Sequence, residues 1–352
     1  MYEFELTKVC HKLLSEVLGG KPGEVVAITC DTKSSMEVVN ATAAAAVLMD
    51  MKPLVLRQQT PRGVAKASDA DTPVEAMAAA IAKADIWIEY DFMWKIYSTV
   101  YDLVTQRPAN ARPRYICLNG ANPELLMRNI GNVDLPALKA FMWEITHVTQ
   151  AGKDFRITSP AGTDLTFQNS PLRGVDCSCG DIQEPGKIDM MPGQIGWCPE
   201  FETINGIMAI DGALMPPIGK LDNPVMLKVE KGFIADIYGE GTEHKVFADW
   251  LRGFNDPGMY RLAHICYGFG PGAILSGDIV EDERVWGSTE WGFGNISDDM
   301  LPDIPGGLPA ASHSDGINLN CSVWIDGVQI LDKGVVVGPN EKTVALARKL
   351  GK

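Results

Sequence analysis

The sequence is short of basic charge: 31 Lys and Arg stand against 45 Asp and Glu, a net charge of −14 over 352 residues. That imbalance repels phosphate backbones and anionic headgroups, which excludes nucleic acid and membrane surfaces as principal partners. No apolar run approaches the ~20 residues needed to cross a bilayer, since the Ala-rich stretch 41–48 is brief and flanked by polar residues. The opening residues MYEFELTK have no basic stretch leading into an apolar run, so a secretory leader is not expected and a cytoplasmic enzyme is. Zinc-knuckle and redox spacings are missing too. The eight cysteines stand singly except for Cys177-Ser-Cys179, and are expected to be reduced, mostly buried thiols. No Gly-x-Gly-x-x-Gly follows the first strand-like run, so no dinucleotide is assigned.

Apolar content of 46% is ample for packed cores, and the length suits two domains. From residue 5 to about 150, helical and strand-like stretches alternate. Leu6, Val9, Cys10, Leu13, Leu14, Val17 and Leu18 form a helical stripe, and short apolar runs follow near 24–29, 53–56, 85–90 and 114–118 with helices between them. This alternation predicts an α/β domain over 1–150, a doubly wound parallel sheet covered by helices. Beyond 150 the pattern changes to paired strands around turn residues, at 155–159 with 164–167, 225–230 with 233–238, and 321–325 with 328–331. The expectation for 151–352 is an α+β domain rich in antiparallel hairpins, and helices are expected near 135–147 and 244–253.

Histidine is scarce enough to enumerate: His11, His147, His244, His264 and His313. The first two lie in predicted helices and His244 stands beside one between charged neighbours, so these read as surface or packing residues. His313 belongs to Ser-His-Ser-Asp-Gly at the mouth of an apolar strand. His313 and Asp315, two residues apart, share a face, and Ile317, Leu319, Cys321, Val323 and Ile325 continue its register. Such a pair is either a metal-ligating couple or a histidine hydrogen-bonded to Asp at a strand end. His264 lies on an apolar strand feeding Gly-Phe-Gly-Pro-Gly. Two imidazoles and a carboxylate on neighbouring strands suit the facial triad of a non-haem Fe(II) oxygenase, which leaves positions for substrate and dioxygen. A tetrahedral zinc site with one water uses the same three residues. The acidic run Glu281–Glu283 is expected as a solvated turn, whereas Glu290 sits in an aromatic strand and needs a partner. Gln194 and Glu200 are placed near the candidate site's surface.

His264 with its glycine loop, the segment 282–294, Pro192-Gly-Gln194 and His313-Ser-Asp315 follow the motif order of the aminopeptidase T metallopeptidases, which the chain resembles over most of 150–337. That family's two-metal site implies anionic ligands at positions where this chain has Gln194 and His264, so the resemblance does not carry over a dinuclear centre. The chain also resembles the 2,5-dihydroxypyridine 5,6-dioxygenase family in Phe254-Asn-Asp-Pro, Glu184-Pro-Gly, Glu230-Lys-Gly-Phe-Ile and Leu319-Asn-Cys. This second resemblance implies a single Fe(II) on His264, His313 and Asp315, and a small aromatic or heteroaromatic substrate with dioxygen. It also implies a homo-oligomer whose sites lie between the two domains. Two pocket histidines expected from that family are Tyr97 and Met190 here, so the acid–base group differs. Tyr97 is the candidate for it, with Glu290 and Gln194 as supporting groups. The alternative implied by the first resemblance is a metal-dependent hydrolase.

Overall fold

The computed structural model describes residues 4–298 and 300–352. Two compact units divide the chain, Met1–Leu135 with Ser178–Pro192, and Pro136–Cys177 with Gly193–Lys352.

In the first unit the apolar run Val25–Cys30 pairs in parallel with Lys52–Arg57 on one side and Ile86–Glu89 on the other, and Arg114–Cys117 follows Ile86–Glu89. Helices Met36–Leu48, Val74–Ile81 and Thr99–Thr105 fall between these strands, as alternation requires. One sheet face buries Trp87 against Tyr115, ring centroids 4.2 Å apart, within a cluster that includes Met77, Ile81, Val100 and Val104. A fifth strand, Ile188–Met190, adds in parallel to the open edge of Arg114–Cys117. Three residues carry too little periodicity to announce this strand in the sequence, and its backbone pairing draws 178–192 back to the first unit. Where a division at 150/151 was expected, the units part after Leu135, at the first residue of helix Leu135–Ala151, with this later segment returned.

The second unit holds an eight-stranded and a seven-stranded sheet. The expected hairpins are Asp154–Thr158 with Asp164–Gln168, Val225–Glu230 with Phe233–Gly239, and Ser322–Ile325 with Val328–Asp332, all in the larger sheet. Phe155 and Phe167 stack at 5.0 Å and meet Trp197 and Trp291 of the other sheet at 5.9 and 5.4 Å, so aromatic contacts fill the space between the layers. The register expected to run from His313 to Ile325 is broken. Strand Leu308–Asn318 ends, Asn320 turns left-handed at φ 51°, and Ser322–Ile325 pairs with Asp154–Thr158 in the larger sheet. Helix Glu341–Lys349 closes the chain.

No disulfide joins any of the eight cysteines, seven of them buried and Cys177 half-buried. Among the described residues no helix is long and apolar enough to cross a membrane.

Candidate metal centre

Three neighbouring strands of the seven-stranded sheet carry the site: Leu262–Gly268, Thr289–Ile296 and Leu308–Asn318. Alternation along each strand puts His264 with Cys266, Glu290 with Gly292, and His313 with Asp315 on shared faces. Register completes the placement. Cys266 stands opposite Glu290, Gly292 opposite Asp315, and Gly294 opposite His313. The middle strand therefore offers bare backbone where its neighbours converge. A Cβ at 292 would lie 2.5 Å from Cε1 and 2.6 Å from Nδ1 of His264, so only glycine leaves room for that imidazole.

His264, His313 and Asp315 each bring one donor atom within 4.8 Å of the others. The imidazoles are nearly parallel, 13° apart with centroids at 5.1 Å. His313 Nδ1 lies 2.8 Å from the Asn295 carbonyl oxygen, which can only accept, so Nδ1 carries the proton. A neutral His313 then turns the lone pair of Nε2 toward Asp315 Oδ1, 2.9 Å away. That arrangement is repulsive unless a proton or a metal cation occupies the gap. His264 Nε2 repeats the pattern, 3.0 Å from Glu290 Oε1 and 3.7 Å from Asp315 Oδ1. Glu290 is fully buried, so its carboxylate depends on these polar neighbours for its charge.

The electrostatics agree. Burial opposes an imidazolium at His264, but Glu290 and Asp315 outweigh it and lift the group to about 9. His313 is raised as well, burial being overcome by Asp315. Burial also opposes the Asp315 carboxylate, yet the flanking imidazoles hold it below its usual range. With protons removed from both rings, this is a preformed cation receptor of two nitrogens and a carboxylate on a glycine floor. The donor set suits a divalent transition metal.

Gln194 and Glu290 meet behind the imidazoles. Gln194 Nε2 donates to Glu283 Oε2 at 3.0 Å and Glu290 Oε2 at 3.4 Å, while its Oε1 accepts from Arg284 Nη2 at 3.1 Å. The buried Arg284 also donates to Glu283 Oε2 at 2.8 Å. The acidic run expected to be solvated is instead buried throughout. Asp282 accepts from the backbone N–H groups of Ser276 and Gly277, and Glu283 pairs with Arg284, so backbone donors and a guanidinium replace water. Burial, with Glu290 and Asp315 adding to it against the pull of Arg284, pushes Glu283 up to about 7. Glu200 does not join this group; its carboxylate acts on Arg173, which pairs with Asp303. Arg284 and Glu283 escaped sequence reasoning because an acidic run resembles a surface turn. The alternate glycines 292 and 294 in a strand were a legible sign of close approach.

Tyr97 and Met190 belong to the first unit. Tyr97 is 49% exposed and left-handed at φ 65°, immediately before Ser98, whose hydroxyl caps helix Thr99–Thr105. Met190 ends the fifth parallel strand, opposite Cys117.

The sequence profile of a family described as 2,5-dihydroxypyridine 5,6-dioxygenase matches residues 5–338. The chain belongs to the 2,5-dihydroxypyridine 5,6-dioxygenase family. A curated 2,5-dihydroxypyridine 5,6-dioxygenase from Pseudomonas putida KT2440 is 27% identical over 196 residues, 54% of this chain and 55% of that protein. The chain thus matches about half the length of this curated relative. A solved structure of 2,5-dihydroxypyridine dioxygenase from the same organism superposes with a TM-score of 0.75 at 21% identity, covering 96% of this chain and 98% of that one. AmpT from Thermus thermophilus superposes with a TM-score of 0.71 at 15% identity, covering 96% and 100%. The dioxygenase family and the metallopeptidase thus share this fold, as both resemblances implied.

Proposed function

We propose that the chain is a dioxygenase that opens the ring of a small hydroxylated aromatic or heteroaromatic substrate, such as a dihydroxypyridine. In this reading it works with one ferrous ion held by His264, His313 and Asp315. The observation that carries the reading is His313 Nε2 at 2.9 Å from Asp315 Oδ1, with its Nδ1 turned to the Asn295 carbonyl, beside a second imidazole within reach. When bound, the ion supplies electrons and adjacent coordination positions through which substrate and dioxygen are brought together.

The chain's own groups do the rest. Asp315 and Glu290 neutralise charge, Glu290 Oε1 lying 3.0 Å from His264 Nε2. Gln194 holds Glu290 and Glu283 in place through its amide. In this proposal the phenolate form of Tyr97 accepts the substrate hydroxyl proton and becomes the phenol, supported by the residue's exposure and its unusual backbone, a form of strain that concentrates at functional positions.

Arg284 argues against a two-metal hydrolase. A second divalent ion beside Gln194 would stand next to a buried guanidinium 3.1 Å from that side chain. The test is anaerobic ferrous titration followed by oxygen uptake with 2,5-dihydroxypyridine, catechols and hydroquinones. One ferrous ion per chain and both atoms of labelled dioxygen in a ring-opened product are expected. Zinc dependence with anaerobic amide cleavage and no oxygen uptake would replace this reading with the hydrolase.

A further inference from the structure

Cys266 is unused by the proposed chemistry, yet it lies two residues from His264 on the same strand face and directly opposite Glu290 in the strand register. Its other neighbour across the sheet is Gly196, where a Cβ would lie 2.9 Å from the sulfur, so the glycine makes space for the thiol. One donor atom each from His264, Cys266 and Glu290 lies within 4.8 Å of the others. Glu290 Oε1, fully buried and 3.0 Å from His264 Nε2, adds a carboxylate charge on this side of His264.

We infer that His264, Cys266 and Glu290 form a second metal position, selective for thiophilic divalent ions such as zinc, cadmium or cobalt. An imidazole, a thiolate and a carboxylate match the nitrogen and sulfur preference of tetrahedral zinc, whereas His264, His313 and Asp315 offer no sulfur. Binding is a ligand exchange. The thiol proton leaves to solvent, the sulfur lone pair goes to the ion, and no electron is transferred. Both positions need His264, so they fill one at a time: a thiophilic ion takes that imidazole from the ferrous set and holds the protein in a form that cannot load iron. The exclusion rests on the ferrous reading above, but thiophilic binding does not.

Anaerobic titration of the full chain with cobalt(II) tests this through the near-ultraviolet thiolate-to-cobalt charge-transfer band. The band is expected at one equivalent per chain in the natural protein and in Asp315→Asn, and should vanish in both Cys266→Ser and Cys266→Ala. Cadmium affinity should fall at least about tenfold in the Cys266 variants. Near-ultraviolet circular dichroism establishes that each variant is folded. Absence of the band in the natural protein, or its survival without Cys266, overturns the inference, and so does its loss in Asp315→Asn. Saturating cadmium should block ferrous loading. Simultaneous loading of both ions would overturn the shared imidazole. Failure of the ferrous reading shows separately, as ferrous binding that is indifferent to His313→Ala while the thiolate band persists.

Discussion

Replacing Gly292 with alanine should separate metal binding from folding. The added Cβ would lie 2.5 Å from His264 Cε1 and 2.6 Å from Nδ1, against an ordinary contact of ~3.5–4.0 Å. The imidazole must therefore retreat by about 1 Å, and it lies parallel to His313 at 5.1 Å, which limits where it can go. Metal–ligand bonds tolerate only about ±0.2 Å, so a displacement of that size removes one of three donors. We expect ferrous affinity to fall at least ~100-fold, equivalent to about 2.7 kcal/mol. Stability should change less. Gly292 does not have a positive φ, so alanine is conformationally allowed and gains roughly 0.4–1 kcal/mol from the unfolded chain, set against ~1–3 kcal/mol of crowding. Calorimetric titration with ferrous ion, alongside thermal melts of Gly292→Ala and the control Gly174→Ala, whose added Cβ meets nothing within 4 Å, checks both halves. Undiminished affinity in a folded Gly292→Ala protein would refute the assignment of His264 as a ligand.

Other expectations concern charge and strain. His264 is raised from 6.5 to about 9, so without metal its carboxylate contacts stabilise the fold fully below pH 6.5 and are lost as pH rises through about 9. Melts in chelator should fall across that window, whereas ferrous affinity should climb about tenfold per pH unit as the proton is displaced; a flat chelator profile would contradict the ion cluster. Arg284→Met strands the Glu283 carboxylate and should cost about 3–5 kcal/mol in urea unfolding, partly recovered by adding Glu283→Gln. Tyr97→Gly relieves a left-handed tyrosine and should leave the melting point level or raise stability by about 1 kcal/mol. Tyr97→Phe should keep the fold and lower kcat, and full turnover in that variant would remove the phenol from the mechanism.

Helix and strand periodicity made the alternating first half and the hairpins of the second readable, because each depends on residues close in sequence. His313 and Asp315 were legible for the same reason: two residues apart on a strand, they share a face whatever surrounds them. Their union with His264 was a matter of chemistry and resemblance until strand pairing placed Gly292 between them. Pairing that spans long stretches of chain lay beyond local pattern. Ile188–Met190 completes a sheet begun at Val25, and the turn at Asn320 diverts a strand whose polarity pattern ran straight through it.

Composition and spacing alone determined an acidic, two-part α/β and α+β protein with few histidines and a His-x-Asp strand. Tertiary structure decided what those residues face. It buried Glu281–Glu283 and matched Glu283 to Arg284, cleared a glycine floor for one imidazole, and set Cys266 across from Glu290. The physical reason is that charge and ligand chemistry act through space over a few ångströms, and only the register of neighbouring strands fixes which distant residues come within that reach.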